Sequence, residues 1–273
     1  MKHLLLRSMA ALLIVSTGAR AASADERSAD AVVTMPTAFM LNSTSARIPA
    51  IAGRARIDHR GAASIQGSLG LAGIAMLTID TDRDLRVCET CVEDKTLPAE
   101  TLRTLRARHA EFKMGAPVNA WFRGQPALAI GVRVTTTTAS STQANIRATD
   151  AYVVASEVLG PVTVHAGVIA QDIASSRNDE RLQLSATSRG IRPMLGFEWH
   201  PAQYPRTTLL ADLTWVPELR AKAPAQTWLG GWGVRYQAAR ILGVELSVRH
   251  RQDEGLADTT VLVGARFILV DER

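Results

Sequence analysis

Residues 226–269 read QTWLGGWGVRYQAA (226–239), RILGVELSVRHRQDEG (240–255) and LADTTVLVGARFIL (256–269). In the middle segment Leu242, Val244, Leu246 and Val248 fall on one side, and Gly243, Glu245, Ser247 and Arg249 on the other. The third segment sets Val261, Val263, Ala265, Phe267 and Leu269 against Leu262, Gly264, Arg266 and Ile268. The first sets Trp228, Trp232, Val234 and Tyr236 against Leu229, Gly231, Gly233 and Arg235. A period of two is the signature of a strand, because successive side chains leave the backbone on opposite sides. One face is apolar and aromatic; the other carries glycines and charges. A water-soluble sandwich turns the apolar face to a core, whereas a membrane barrel turns it to lipid and keeps the polar face inside.

The N-terminus bears on that choice. Lys2 and Arg7 precede the apolar run Met9–Val15, and small residues follow with two A-x-A sites, Ala19–Ala21 and Ala22–Ala24. This is the layout of a secretory signal peptide over residues 1–24. Residues 25–273 are then expected to form a single domain. Removal of Lys2, Arg7 and Arg20 lowers the formal charge from +5 to +2, so the basic balance gives no ground for a nucleic-acid partner. No apolar run after the leader approaches the length of a membrane-spanning helix, so a membrane crossing here would use strands.

From residue 50 the chain is extended and alternating, interrupted over residues 81–124. That interval contains Cys88 and Cys91, and LPAETLRTLRARHAEF (97–112), where Thr96 as N-cap with Pro98 and Glu100 in the first turn predicts a helix. It is expected to form a structured loop or plug-like insertion. From Gln125 the alternation resumes: Leu128, Ile130, Val132 and Val134 oppose Ala129, Gly131 and Arg133. Tyr152, Val154 and Val158 are placed on an outer face with Glu157 opposite, and Val164, Ala166 and Val168 on an outer face with His165 opposite. Leu195, Phe197, Trp199, Leu209, Leu213 and Trp215 face outward, and Glu198 and Asp212 inward.

The inner face thus collects Arg133, Glu157, His165, Glu198, Asp212, Arg235, Glu245, Arg249 and Arg266 as an expected lumen charge network. Nine ionisable groups in a dry sandwich core would cost several kcal/mol each unless paired. In a barrel they pair across strands or meet lumen water. Tyr152, Trp199, Trp215, Trp228, Trp232 and Tyr236 sit near strand ends, as interfacial aromatics do. The leader, the glycine-rich inner face and these aromatics favour an all-β fold: an antiparallel transmembrane β-barrel of about 10–12 strands with one long, partly helical loop.

ALAIGVRVTTTT (127–138), DAYVVASEVLGPVTVHAGV (150–168) and RPMLGFEWHPAQYPRTTLLADLTW (192–215) resemble strands of the YjbH-like outer-membrane proteins tied to exopolysaccharide production. The resemblance spans residues 125–269. It implies an outer-membrane location, and a polysaccharide or its export machinery as partner besides membrane lipid. Val134 stands where that family has an aspartate after its G-x-R arginine, and the chain continues past Phe267 as ILVDER.

Cys88 and Cys91 are the two cysteines, and in an exported chain such a pair is expected to form a local disulfide. A c-type haem site needs His where Val92 stands, and zinc needs two further ligands nearby. No catalytic residue, cofactor site or metal site is therefore assigned. Glu198, His200 and Asp212 form the one cluster worth testing for hydrolysis. Three function classes fit the pattern: a non-enzymatic outer-membrane barrel assisting polysaccharide export or surface assembly, a barrel enzyme acting on lipid or surface polymer, and a soluble periplasmic ligand-binding β protein.

Overall fold

The alternating runs become strands that each pair with their sequence neighbour. The computed structural model describes residues 51–59, 61, 63–71, 74–82, 93–94, 106–138, 144–179, 182–219, 225–252, 255–256 and 259–269. The strands are β1 (Ile51–Asp58), β2 (Ala63–Leu71), β3 (Ala75–Asp82), the two-residue β4 (Glu93–Asp94), β5 (Arg106–Ala116), β6 (Ala127–Thr138) and β7 (Ala144–Leu159). They continue with β8 (Val162–Asp179), β9 (Leu182–Trp199), β10 (Thr207–Leu219), β11 (Ala225–Ala239), β12 (Leu242–Arg251) and β13 (Thr260–Leu269). Leaving out β4, twelve antiparallel strands follow one another around a ring, which β1 closes on β13 from Ile51↔Leu269 to Asp58↔Leu262. β4 lies outside the ring's order and pairs in parallel with Glu218 and Leu219 of β10.

Because neighbours are sequential, the connections alternate between two ends. One end, the turn end, carries links 72–74, 117–126, 160–161, 200–206 and 240–241; at the tight Gly160–Pro161 turn Gly160 has φ +64° and so suits a residue without a Cβ. The start of β1 and the finish of β13 also lie at that end. The loop end carries the remaining links, among them residues 83–105.

Side chains sort by parity. Ile65, Leu77, Ile130, Leu195, Trp232 and Leu246 are exposed on the outside, while Arg54, Ser68, His109, Arg133, Glu245 and Arg266 are buried inside. This inverts the polarity of a soluble protein, with apolar side chains outside and paired polar groups within, the distribution of a membrane barrel. Trp199 and Tyr236 mark the outer face at the turn end. Trp215 and Trp228, opposite each other across β10 and β11, mark it further along, with Leu209, Leu213 and Val234 between.

Two expectations need correction. The interruption placed over 81–124 is shorter, because Arg106–Ala116 is strand β5 and supplies the twelfth stave. Ala107, His109, Glu111 and Lys113 point inward and Ala110, Phe112 and Met114 outward. The helix expected to run to Phe112 therefore gives way to a strand from Arg106, with His109, Glu111 and Lys113 on its inner face. The face of β7 is also reversed. Tyr152 is 5% exposed and inward, and Glu157 alternates with buried Ser156, pairs with Val164 and is exposed on the outer side. Gly131 lies directly opposite Tyr152, and a Cβ there would meet the tyrosine ring at 2.3 Å, so this glycine makes the room that the ring occupies. The leader, the helix start at Thr96 and the Cys88–Cys91 pair lie outside the described residues.

The charged interior as candidate functional site

Three groups of polar side chains cross the interior. The first belongs to the closing strands. Arg235 and Glu245 face each other across the β11–β12 register, and Arg235 Nε donates to Glu245 Oε1 at 2.7 Å. Glu245 Oε2 accepts from Arg54 Nη2 at 2.6 Å, a bond that reaches over β13 to β1. Arg266, opposite Arg54 in the β1–β13 register, is buried beside them. One carboxylate, 2% exposed, thus serves two arginines and borders a third. Charge-assisted bonds of this kind are short and roughly twice as strong as neutral ones.

The second group is a row across β5, β6 and β7, where Glu111, Arg133 and Asp150 stand opposite one another in register. Arg133 donates Nε (3.1 Å) and Nη2 (2.8 Å) to Asp150 Oδ2, with Nη1 4.0 Å from Glu111 Oε2. The Tyr152 hydroxyl donates to Glu111 Oε1 at 2.6 Å. His109 Nδ1 and Thr135 Oγ1 hydrogen-bond at 2.8 Å on the same wall.

The third lies at the turn end. Ser156 and His165 are register partners, with Oγ to Nδ1 2.8 Å. His165 Nε2 stands 3.7 Å from Glu198 Oε1, and His200 Nε2 3.7 Å from Glu198 Oε2. Serine, histidine and carboxylate in sequence suggest a nucleophile relay. The 3.7 Å gap is too long for a hydrogen bond, so no relay is assembled and the arrangement supports wall structure.

Of the nine residues expected in the network, Arg133, His165, Glu198, Arg235, Glu245, Arg249 and Arg266 are buried inside, Asp212 is half-buried and inward, and Glu157 is outside. The structure brings together Arg235 with Glu245, and His165 and His200 with Glu198. It adds partners absent from that list: Arg54, Glu111 and Asp150, together with Arg192 on β9. Among the described residues no group of three or more His, Cys, Asp or Glu side chains is placed to hold a metal ion.

No protein-family model and no curated protein matches the chain. Among solved structures it is similar to the NanC porin, with a TM-score of 0.52 and 9% identity, over 81% of this chain and 100% of that one. The KdgM porin follows at 0.48 and 10%, over 80% and 97%. The β domain of the Bordetella autotransporter BrkA reaches 0.46 and 13%, over 80% and 98%. At such identities the likeness to the NanC porin speaks for the barrel fold alone.

Proposed function

We propose that this protein is a non-enzymatic barrel of the bacterial outer membrane, exported by its residue 1–24 leader, that assists the export or surface assembly of a polysaccharide. The observation that supports the barrel's mode of action is the interior lattice of buried, mutually paired charges, Arg54–Glu245–Arg235 and Arg133–Asp150. An open diffusion pore keeps its charged walls in water; these charges are spent on one another and brace the wall. The apolar outer face suits lipid as the surrounding partner. The polysaccharide part of the reading rests on the YjbH-like strand motifs of residues 125–269.

The test is a deletion strain scored for surface polysaccharide, alongside fractionation and planar-bilayer recording of the pure protein. The reading expects the protein in the outer membrane, low basal conductance and an altered polysaccharide. Normal polysaccharide in the deletion strain, or a large open-pore conductance, would overturn it.

A further inference from the structure

The ring is incompletely zipped between β9 and β10. Their register runs from Leu209↔Trp199 to Thr214↔Met194, and among the described residues no pair forms beyond it toward the loop end. β9 continues to Leu182 and β10 to Leu219, so both strands carry on without each other. The next residue of β9 is Pro193, which has no N–H to give to a ladder. The edge of β10 released in this way holds β4 at Glu218 and Leu219. Arg192 sits at the point of separation and donates Nη1 to the Trp215 carbonyl across it.

Three inward side chains meet at this level. Asp150 and Gln171 are register partners on β7 and β8, and Arg192 on β9 is diagonal to Gln171, whose partner is Gly190. Asp150, Gln171 and Arg192 are 0%, 5% and 1% exposed. Even so, among the described residues Asp150 Oδ1, both amide atoms of Gln171, and Arg192 Nε and Nη2 have no hydrogen-bond partner. Buried polar groups are nearly always satisfied, because an unmade bond leaves the group desolvated with nothing in return. One step toward the turn end each of the three is followed by an apolar side chain, Tyr152, Ile169 and Met194, which form one cluster with Val154. A polar layer therefore rests on an apolar floor.

The free atoms define the ligand. Nε and Nη2 are one side of the guanidinium fork, the geometry that takes a carboxylate through two parallel bonds. A carboxamide and one carboxylate oxygen beside it suit neighbouring hydroxyls, as donor and acceptor respectively. An apolar floor with an aromatic ring suits the C–H face of a pyranose. We propose that Arg192, Gln171 and Asp150 form a subsite for one acidic sugar residue, a hexuronate unit, reached through the unzipped stretch between β9 and β10. The inference rests on the polysaccharide reading above and names the class of sugar.

The experiment titrates the full-length protein in detergent micelles with trigalacturonate and, separately, maltotriose by calorimetry. Wild type is expected to bind the acidic trisaccharide at least about tenfold more tightly, the equivalent of one added charge-assisted contact. Arg192→Gln is expected to abolish the preference, and Gln171→Leu to weaken binding of both sugars. Each variant is checked for the compact, heat-modifiable band, so that a misfolded barrel is not scored. The route is tested with Ile191→Cys and Pro217→Cys, the pair that continuation of the register would align, in a background lacking Cys88 and Cys91. Oxidation should block binding and reduction restore it. Binding of neither sugar by folded wild type, a preference retained in Arg192→Gln, or binding undiminished by the oxidised staple would each overturn the proposal. Altered surface polysaccharide in the deletion strain with a negative titration removes the subsite alone. Normal polysaccharide in that strain removes the parent reading, whatever the titration gives.

Discussion

Glu245→Ala is the sharpest probe of the interior. The carboxylate accepts two short bonds, 2.7 Å from Arg235 and 2.6 Å from Arg54, and the side chains of all three residues are buried. Hydrogen bonds to charged groups contribute about 1.5–3 kcal/mol each. Their loss also removes the carboxylate shared by two enclosed guanidinium groups, with Arg266 adding a third charge of the same sign nearby. Breaking a buried pair by removing one partner costs about 3–5 kcal/mol, and Glu245→Ala is expected in that range. Arg235→Ala should cost about half as much, because Glu245 keeps Arg54. The double variant should cost less than the sum of the singles, with a coupling of about 1–3 kcal/mol. The assay is reversible urea unfolding in micelles or vesicles, followed by tryptophan fluorescence, with loss of the compact gel band on heating as a second reading. A loss below about 1 kcal/mol for Glu245→Ala, the value of an exposed surface pair, would refute an enclosed lattice.

Three further outcomes follow from single contacts. Gly131→Ala should destabilise by about 1–3 kcal/mol, since its Cβ would fall 2.3 Å from the Tyr152 ring and force that side chain to move; the same urea titration reads it. Tyr152→Phe keeps the ring in its apolar cluster and deletes the bond to Glu111, for a loss of about 1.5–3 kcal/mol in that titration. Glu157→Ala should change stability by no more than about 0.5 kcal/mol, because the side chain is exposed on the outer face; a larger loss would restore it to the interior.

The barrel was legible wherever the two faces differ sharply. β11, β12 and β13 pair Leu246 with Val234 and Val263 on the outside and Glu245 with Arg235 and Gly264 on the inside, so alternation alone fixed their faces. β5 was obscured because a strand whose inner face carries His109, Glu111 and Lys113 has nearly the composition of a solvated helix, and its outer face includes small Ala110. In β7 both faces contain valine, so the tyrosine decided the reading and decided it wrongly. The better signal was Asp150, which shares parity with Tyr152: a carboxylate that deep in the strand belongs inside and takes Tyr152 with it. Arg54 was readable in principle from its alternation with exposed Ala55 and Ile57. Its partner was not, because Glu245 stands 191 residues away and only closure of the ring brings the two together.

That separation orders the assembly of the molecule. Arg235 and Glu245 are 10 residues apart in a hairpin, so their bond can form as soon as β11 and β12 meet. The bond to Arg54 has to wait until β13 has docked on β1, since it reaches across β13. Local contacts form early and distant ones late, because the entropy of closing a long loop must be met first. Glu245 therefore works as a latch with two settings: half engaged on an open sheet, fully engaged on a finished ring. A chain interrupted before its final strand would keep the hairpin bond and never throw the second bolt.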